Sequence, residues 1–123
     1  MNETPSPTTI YVCTTCRLAA EPLEPRENRA GARLFASITQ AAAGDAAVAV
    51  RGVECLSVCK RPITVGFASA GKWTYVYGDF GPDDAASLLD GARRFAATPD
   101  GLIPWKERPE SLKRGVVARL PPA

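Results

Sequence analysis

Residues 46–59, AAVAVRGVECLSVC, carry a β-branched run at Val48, Val50 and Val53 straight into the pair Cys55-x3-Cys59. The same arrangement occurs once before, where Ile10-Tyr11-Val12 ends directly in Cys13-Thr14-Thr15-Cys16. Between them, Leu34, Phe35, Ile38, Ala41 and Ala42 recur at helical spacing, which predicts a helix from about Arg26 to Ala43 with Gly44 as its stop. Strand, helix, strand at this length predicts two parallel strands joined by a crossover. Parallel strands put their carboxyl ends at one edge of the sheet, where open α/β sheets carry their sites. The 38 residues between the two cysteine pairs are then no obstacle to four thiols meeting at one place.

Further along, Ile63, Val65 and Phe67 alternate, Ser69-Ala70-Gly71-Lys72 reads as a hairpin turn, and Trp73, Tyr75 and Tyr77 alternate on the return. Gly81-Pro82-Asp83-Asp84 opens a second helix whose apolar stripe is Ala85, Leu88, Leu89, Ala92 and Phe95, with Pro99 as its end. Gly91 lies on that stripe at a cost of about 1 kcal/mol against alanine, which a close approach to the sheet or to a partner subunit would explain, with tolerated drift as the alternative. The expected order is therefore β-α-β-β-β-α, an α/β sheet with helices packed on it. Residues 1–8 are expected to form a disordered leader and Arg17 to Pro25 a loop. Residues 9–98 form the domain, and residues 99–123 a basic, proline-punctuated C-terminal extension whose Leu102, Ile103, Trp105, Val116, Val117 and Leu120 are available to dock on it.

The chemistry is narrowed by what is missing. Among 123 residues there is no histidine, which removes Ser-His-Asp and Cys-His triads, mixed cysteine–histidine zinc fingers, Rieske centres and histidine-held haem. No nucleotide-binding glycine motif is present, so an enzyme is not expected. The formal charge is +2, too small for a nucleic-acid binder, and the excess falls after residue 98. No apolar run approaches the roughly 18 residues of a membrane span, and the start lacks the basic and apolar regions of a signal peptide. A cytoplasmic protein is expected, which argues against structural disulfides.

Four cysteines without histidine select a thiophilic metal, zinc or iron–sulphur. Zinc ribbons favour two C-x2-C knuckles about 15–20 residues apart; here the gap is longer and the second pair is C-x3-C. Two well-separated pairs suit a 2Fe–2S cluster with one pair on each iron. A four-cysteine zinc site or a metal-handling module, for cobalt as an instance, is the alternative. Thiol–disulfide chemistry at Cys13 and Cys16 alone leaves Cys55 and Cys59 without a role.

The cysteine pairs after two successive strands, with a proline opening the third, resemble the thioredoxin-like 2Fe–2S ferredoxins and the small iron–sulphur subunit of respiratory complex I. More closely, VCTTCR, CLSVCKRPITVGF, WTYVYGDF and IPWKERPESLKRGVVARLPP resemble a family of small predicted metal-binding proteins often encoded near cobalamin biosynthesis genes. The resemblance implies a thioredoxin-like fold and a 2Fe–2S cluster held by Cys13, Cys16, Cys55 and Cys59. It also implies a one-electron carrier between a donor and an acceptor protein, a reductive step on cobalt or a corrinoid as the user of the electrons, and a homodimer. One spacing departs from the ferredoxins, which separate the first two cysteines by four or more residues rather than two.

An all-cysteine cluster implies a low potential, on the order of −400 mV if it behaves like plant-type centres. With its four thiolates it carries a charge of about −2 when oxidised, which would bring the formal +2 of the chain to near zero. Arg17, Lys60 and Arg61 flank the cysteines, where cations would favour the reduced state or simply face solvent. Pro62 is expected to be trans, although thioredoxin-like folds often place a cis-proline here. Trp73, Tyr75 and Tyr77 are read as sheet packing. Lys106, Arg108, Lys113, Arg114 and Arg119 are read as a solvated basic tail, with an acidic partner as the alternative.

Overall fold

The computed structural model describes residues 7–17, 25–54, 56 and 61–122. Most of the expected leader, most of the expected Arg17–Pro25 loop, and Cys55, Cys59 and Lys60 lie outside the described residues. Strand β1 (Thr8–Cys13) buries Thr8, Ile10 and Val12 and leaves Thr9 and Tyr11 half-buried on its other face. Strand β2 (Val48–Val53) runs parallel to it, with Ile10 opposite Val50 and Cys13 opposite Val53. On the other side of β1, strand β3 (Val65–Ala68) runs antiparallel and continues through a turn at residues 69–72 into strand β4 (Thr74–Tyr77). The predicted β-α-β-β-β-α order is observed, and the fold is an α/β sheet with helices on it.

Helix α1 (Ala30–Ala41) is shorter than the predicted 26–43, because residues Arg26–Asn28 form a separate 3-10 turn and Arg29 is extended. Leu34 and Ile38 are fully buried beneath it. Helix α2 (Ala85–Ala97) buries Leu88, Leu89, Gly91, Ala92 and Phe95 of the predicted stripe and leaves Ala85 half-buried at its start. It starts after Asp84, whose carboxylate accepts the Gly81 N–H at 2.7 Å. At its other end Lys72 Nζ donates to the carbonyls of Phe95 and Ala96 at 3.2 and 2.9 Å, taking up oxygens with no helical partner. The two helices pack on each other and on β1 and β2. Between them and the sheet lie Phe67, Tyr77 and Phe95 in edge-to-face contact, and Tyr75 stacked on Tyr77. The Tyr75 and Tyr77 side chains are core, as read from the sequence.

The stretch after residue 98 supplies more than docking side chains. A short helix α3 (Glu110–Arg114) leads into strand β5 (Val116–Leu120), which pairs antiparallel with β4 and completes a five-stranded sheet in the order β2-β1-β3-β4-β5. Leu112 of α3 is fully buried. It also accounts for Gly91: a β-carbon there would stand 2.2 Å from Leu112 Cδ1 and 3.4 Å from Phe67. The small residue on α2 is the slot into which the C-terminal segment fits.

Replacing the fully buried Leu112 with alanine is expected to cost about 2–5 kcal/mol, read as a lower urea midpoint at unchanged slope. A solvated tail would give a change near zero.

Candidate metal centre

Cys13 is the last residue of β1, and the parallel register sets it beside the end of β2. The Thr14–Thr15 turn that carries the chain on to Cys16 is tied to that end by side chain and backbone together. Thr14 donates to the Val53 carbonyl through its N–H at 2.8 Å and through its hydroxyl at 3.1 Å. The Thr15 hydroxyl donates to the carbonyl of Glu54, toward which the Cys13 thiol also points at 3.6 Å. From the opposite side the Cys13 N–H donates to Thr64 at 3.0 Å. The loop is thus fixed to both strands that flank β1.

Helix α1 closes the site from above. The Gly31 N–H donates to the Cys16 carbonyl at 3.0 Å, and the Arg29 guanidinium donates to the Thr15 carbonyl at 3.3 Å. A β-carbon on Gly31 would lie 2.0 Å from the Cys13 carbonyl oxygen and 3.2 Å from the Cys16 nitrogen. Both contacts are with backbone, which cannot swing away, so only glycine lets the first turn of α1 sit on the cysteine loop. The predicted helix placed residue 31 inside a regular stretch; nothing in the sequence marks it as part of the site.

Cys13 and Cys16 are free thiols, 2% and 7% exposed, and they differ sharply in acidity. Burial raises Cys13, but hydrogen bonding of its sulfur with the Cys16 thiol, with Thr15 and with the backbone N–H of Leu56 outweighs it and holds it below 9.0. Burial also raises Cys16, and donating to its neighbour raises it further, to about 11, against the contacts with Thr64. The hydrogen bond between the two sulfurs, Cys16 donating and Cys13 accepting, thus lowers one thiol and raises the other. Donors converging on a buried sulfur are what a metal-bound thiolate needs around it.

Of the four predicted ligands, the structure brings Cys13 and Cys16 together, while Cys55 and Cys59 lie outside the described residues. Among the described residues no group of three or more histidines, cysteines and acids could hold a metal. Glu54 and Leu56, the residues before and after position 55, both act on the Cys13 sulfur through their backbones. The end of β2 is thus delivered to the first cysteine pair, as the strand-helix-strand argument requires.

Of the flanking cations, Arg17 is exposed. Arg61 is engaged as a clamp. Its guanidinium pairs with the Asp79 carboxylate at 2.7 and 2.8 Å and donates to the carbonyls of Arg114 and Val116 at 3.3 and 3.4 Å. Asp79 has a positive φ of 66° and returns an N–H bond to the Arg61 carbonyl at 3.0 Å. Arg61 therefore joins the chain before β3 to the end of β4 and the start of β5. The cis peptide bond in this stretch follows Pro62, joining it to Ile63, and is not the Arg61–Pro62 bond.

In the metal-free protein, iodoacetamide followed by peptide mapping should label Cys13 at lower pH than Cys16, with Cys16 labelling still climbing as the pH passes from 9.0 towards 11. Coincident profiles would contradict the difference between the two thiols. Replacing Gly31 with alanine should lower stability by about 1–3 kcal/mol, overriding the gain of about 1 kcal/mol in helix propensity, and thermal unfolding reads the sign.

Among solved structures, the chain is similar to a thioredoxin-like [2Fe-2S] ferredoxin from Aquifex aeolicus, at 16% identity and a TM-score of 0.60, covering 96% of this chain and 97% of that one. A second structure, of the wild-type ferredoxin from that organism, gives 13% identity, a TM-score of 0.58 and coverage of 92% and 98%. At these identities the likeness shows the fold, which is that of the thioredoxin-like ferredoxins. Among the described residues no helix is long and apolar enough to cross a membrane. No curated protein matches the sequence. A family model described as "Protein of unknown function (DUF1636)" matches residues 10–122.

Proposed function

The chain belongs to the DUF1636 family, and we propose that it is an electron carrier holding a 2Fe–2S cluster on Cys13, Cys16, Cys55 and Cys59. The observation that carries this reading is the buried, hydrogen-bonded Cys13–Cys16 pair. It sits at the carboxyl edge of two parallel strands, on a fold shared with thioredoxin-like [2Fe-2S] ferredoxins. The donor set fits: all the available ligands are thiols, no histidine exists to compete, and β2 leads directly from the Cys13 contact into the second cysteine pair.

Bound there, the cluster would take up and release one electron at a time. The chain's own part is to hold it. Thr15 and Leu56 present backbone N–H groups to the Cys13 sulfur, and Thr64 contacts Cys16. Such donors stabilise sulfur-borne negative charge and so favour the more negative, reduced state. The first turn of α1 covers the loop through Gly31, and the low exposure of both sulfurs limits access of water and oxidants. Cys16 must lose a proton held to about 11 before it can ligate, so loading releases protons and is favoured by raised pH. A reductive step on cobalt or a corrinoid as the use of the electrons is a further extension, supported by the sequence resemblance alone.

Anaerobically purified protein should be brown, should contain iron and acid-labile sulphide in equal amounts of about two each per chain, and should bleach with dithionite. Serine at any one of the four cysteines should lower the iron content or change the visible spectrum. Colourless protein with one zinc per chain would sink the carrier reading in favour of a zinc module.

A further inference from the structure

The segment after residue 98 carries a feature that the sheet does not need. Trp105 is 59% exposed, yet its ring is not loose. The Arg108 guanidinium stands 5.6 Å from the Trp105 ring centre and 5.5 Å from that of Tyr75. It is pinned by bonds from Nε to the Ile103 carbonyl at 2.9 Å and from a terminal nitrogen to the Tyr75 hydroxyl at 3.3 Å. Lys113 Nζ approaches the Trp105 ring at 5.7 Å. Through Arg108 and Tyr75 the exposed indole is fastened to the stacked tyrosines of the core. A large apolar ring held rigidly at the surface forgoes burial without gaining flexibility.

The surroundings of the ring are positive. Between residues 102 and 120 the chain has the cations Lys106, Arg108, Lys113, Arg114 and Arg119 against the acids Glu107 and Glu110. Glu110 is already shared by Lys113 at 4.0 Å and Arg114 at 3.6 Å. Arg119 lies over the Trp73 ring at 5.0 Å, a further positive charge toward the other end of β5, away from the cysteine edge. The strip reaches the cysteine edge of the sheet. Val116 pairs with Tyr77, Tyr77 with Val65, and Val65 with Val12, one residue before Cys13. Arg61 bolts the Arg114–Val116 turn to the segment that enters β3.

We propose that this Trp105-centred basic strip is the surface on which an acidic redox protein docks. A pre-set tryptophan framed by arginine and lysine has the composition of an interface anchor, and the clustered charge would steer an acidic partner to it. Its Val116 end is level with the cysteine edge, three strands across the sheet from Val12, so a partner docked there lies on the flank of that edge. The redox character of the partner rests on the electron-carrier reading; the acidic docking face rests on the residues just named.

Flavodoxin serves as an acidic probe and cytochrome c as a basic one, each titrated into the full-length, metal-loaded chain as purified and followed by amide and indole NMR shifts. Flavodoxin should shift the Trp105 indole and bind about tenfold more weakly when salt is raised from roughly 20 to roughly 200 mM. Trp105→Ala, and separately the paired Lys106→Glu and Arg114→Glu, should each weaken it by about tenfold. All three side chains are exposed, so the fold should persist; Arg93→Glu, on the side of α2 that faces α1, should leave binding within about twofold. Cytochrome c should leave the Trp105 indole unmoved. Failure of flavodoxin to bind at low salt, binding that ignores the Trp105 and charge variants, or preference for cytochrome c would overturn the docking face. Metal content is measured on the same samples. Brown protein that does not bind therefore overturns the docking face alone, and colourless protein that binds through Trp105 supports the face while removing the carrier reading.

Discussion

Everything at the candidate centre depends on the parallel pairing of β1 with β2. Its register sets Cys13 against Val53 and lets the carbonyls of Val53 and Glu54 receive the Thr14 and Thr15 donors. A shift of one residue would turn Ile10 and Val12 out of the core, so the hydrophobic pattern of β1 fixes the position of the first cysteine pair as firmly as it fixes the sheet. The helix between the two strands is part of the same constraint. Its first turn rests on the cysteine loop, and Leu34 and Ile38 hold it over the strands that deliver that loop.

The two thiols are made unequal by what surrounds them, not by their own chemistry. Both are buried, which by itself would keep both protonated. The difference comes from direction: Thr15 and Leu56 aim N–H groups at Cys13, whereas Cys16 spends its proton on Cys13. In the free protein this gives one thiol that ionises more readily beside one that holds its proton, an arrangement suited to capturing a cation through sulfur. A pair of buried thiols kept for packing alone would need no such donors.

The pattern of residues showed much of the fold, because most of its elements are defined by contacts near in sequence or by plain periodicity. Leu88, Leu89, Ala92 and Phe95 announce α2, and the alternation through Val65 and Phe67 announces β3. Strand β5 was not legible. Val116–Leu120 has no clean alternation, with Ala118, Arg119 and Leu120 all exposed on an edge, and it becomes a strand only by pairing with β4 some forty residues earlier. Gly31 is unreadable for the same reason, and Gly91 readable only as a place of close approach, not as the slot for Leu112: each is small because a distant element, the Cys13 carbonyl or Leu112, approaches it in space. Arg61 looked like a cation available to the centre, but its charge is taken up by Asp79, a partner that only the turn after β4 brings near. The two halves of the centre differ likewise. Cys13 and Cys16 stand together with their neighbours, while Cys55 and Cys59 lie outside the described residues; Glu54 and Leu56, on either side of position 55, reach the Cys13 sulfur.

Charge separation is the remaining consequence of this architecture. The basic residues of the last segment lie on β5 and α3, on the β4 side of the sheet, while the cysteine pair lies between β1, β2 and β3. A centre of thiolates would gather negative charge at one place; Arg29 reaches its loop through the Thr15 carbonyl, and the cations of the last segment lie along an adjoining strip. Arg61 is paired with Asp79, and the Cys13 sulfur is instead reached by hydrogen-bond donors, the backbone N–H groups of Thr15 and Leu56 among them; fixed dipoles of that kind would stabilise added negative charge without moving. The cations between residues 102 and 120, five against two acids and only partly paired through Glu110, act outwards at the range of a Debye length of about 8–10 Å. The same chain can therefore keep its centre insulated from mobile charge and still advertise that centre to an acidic surface.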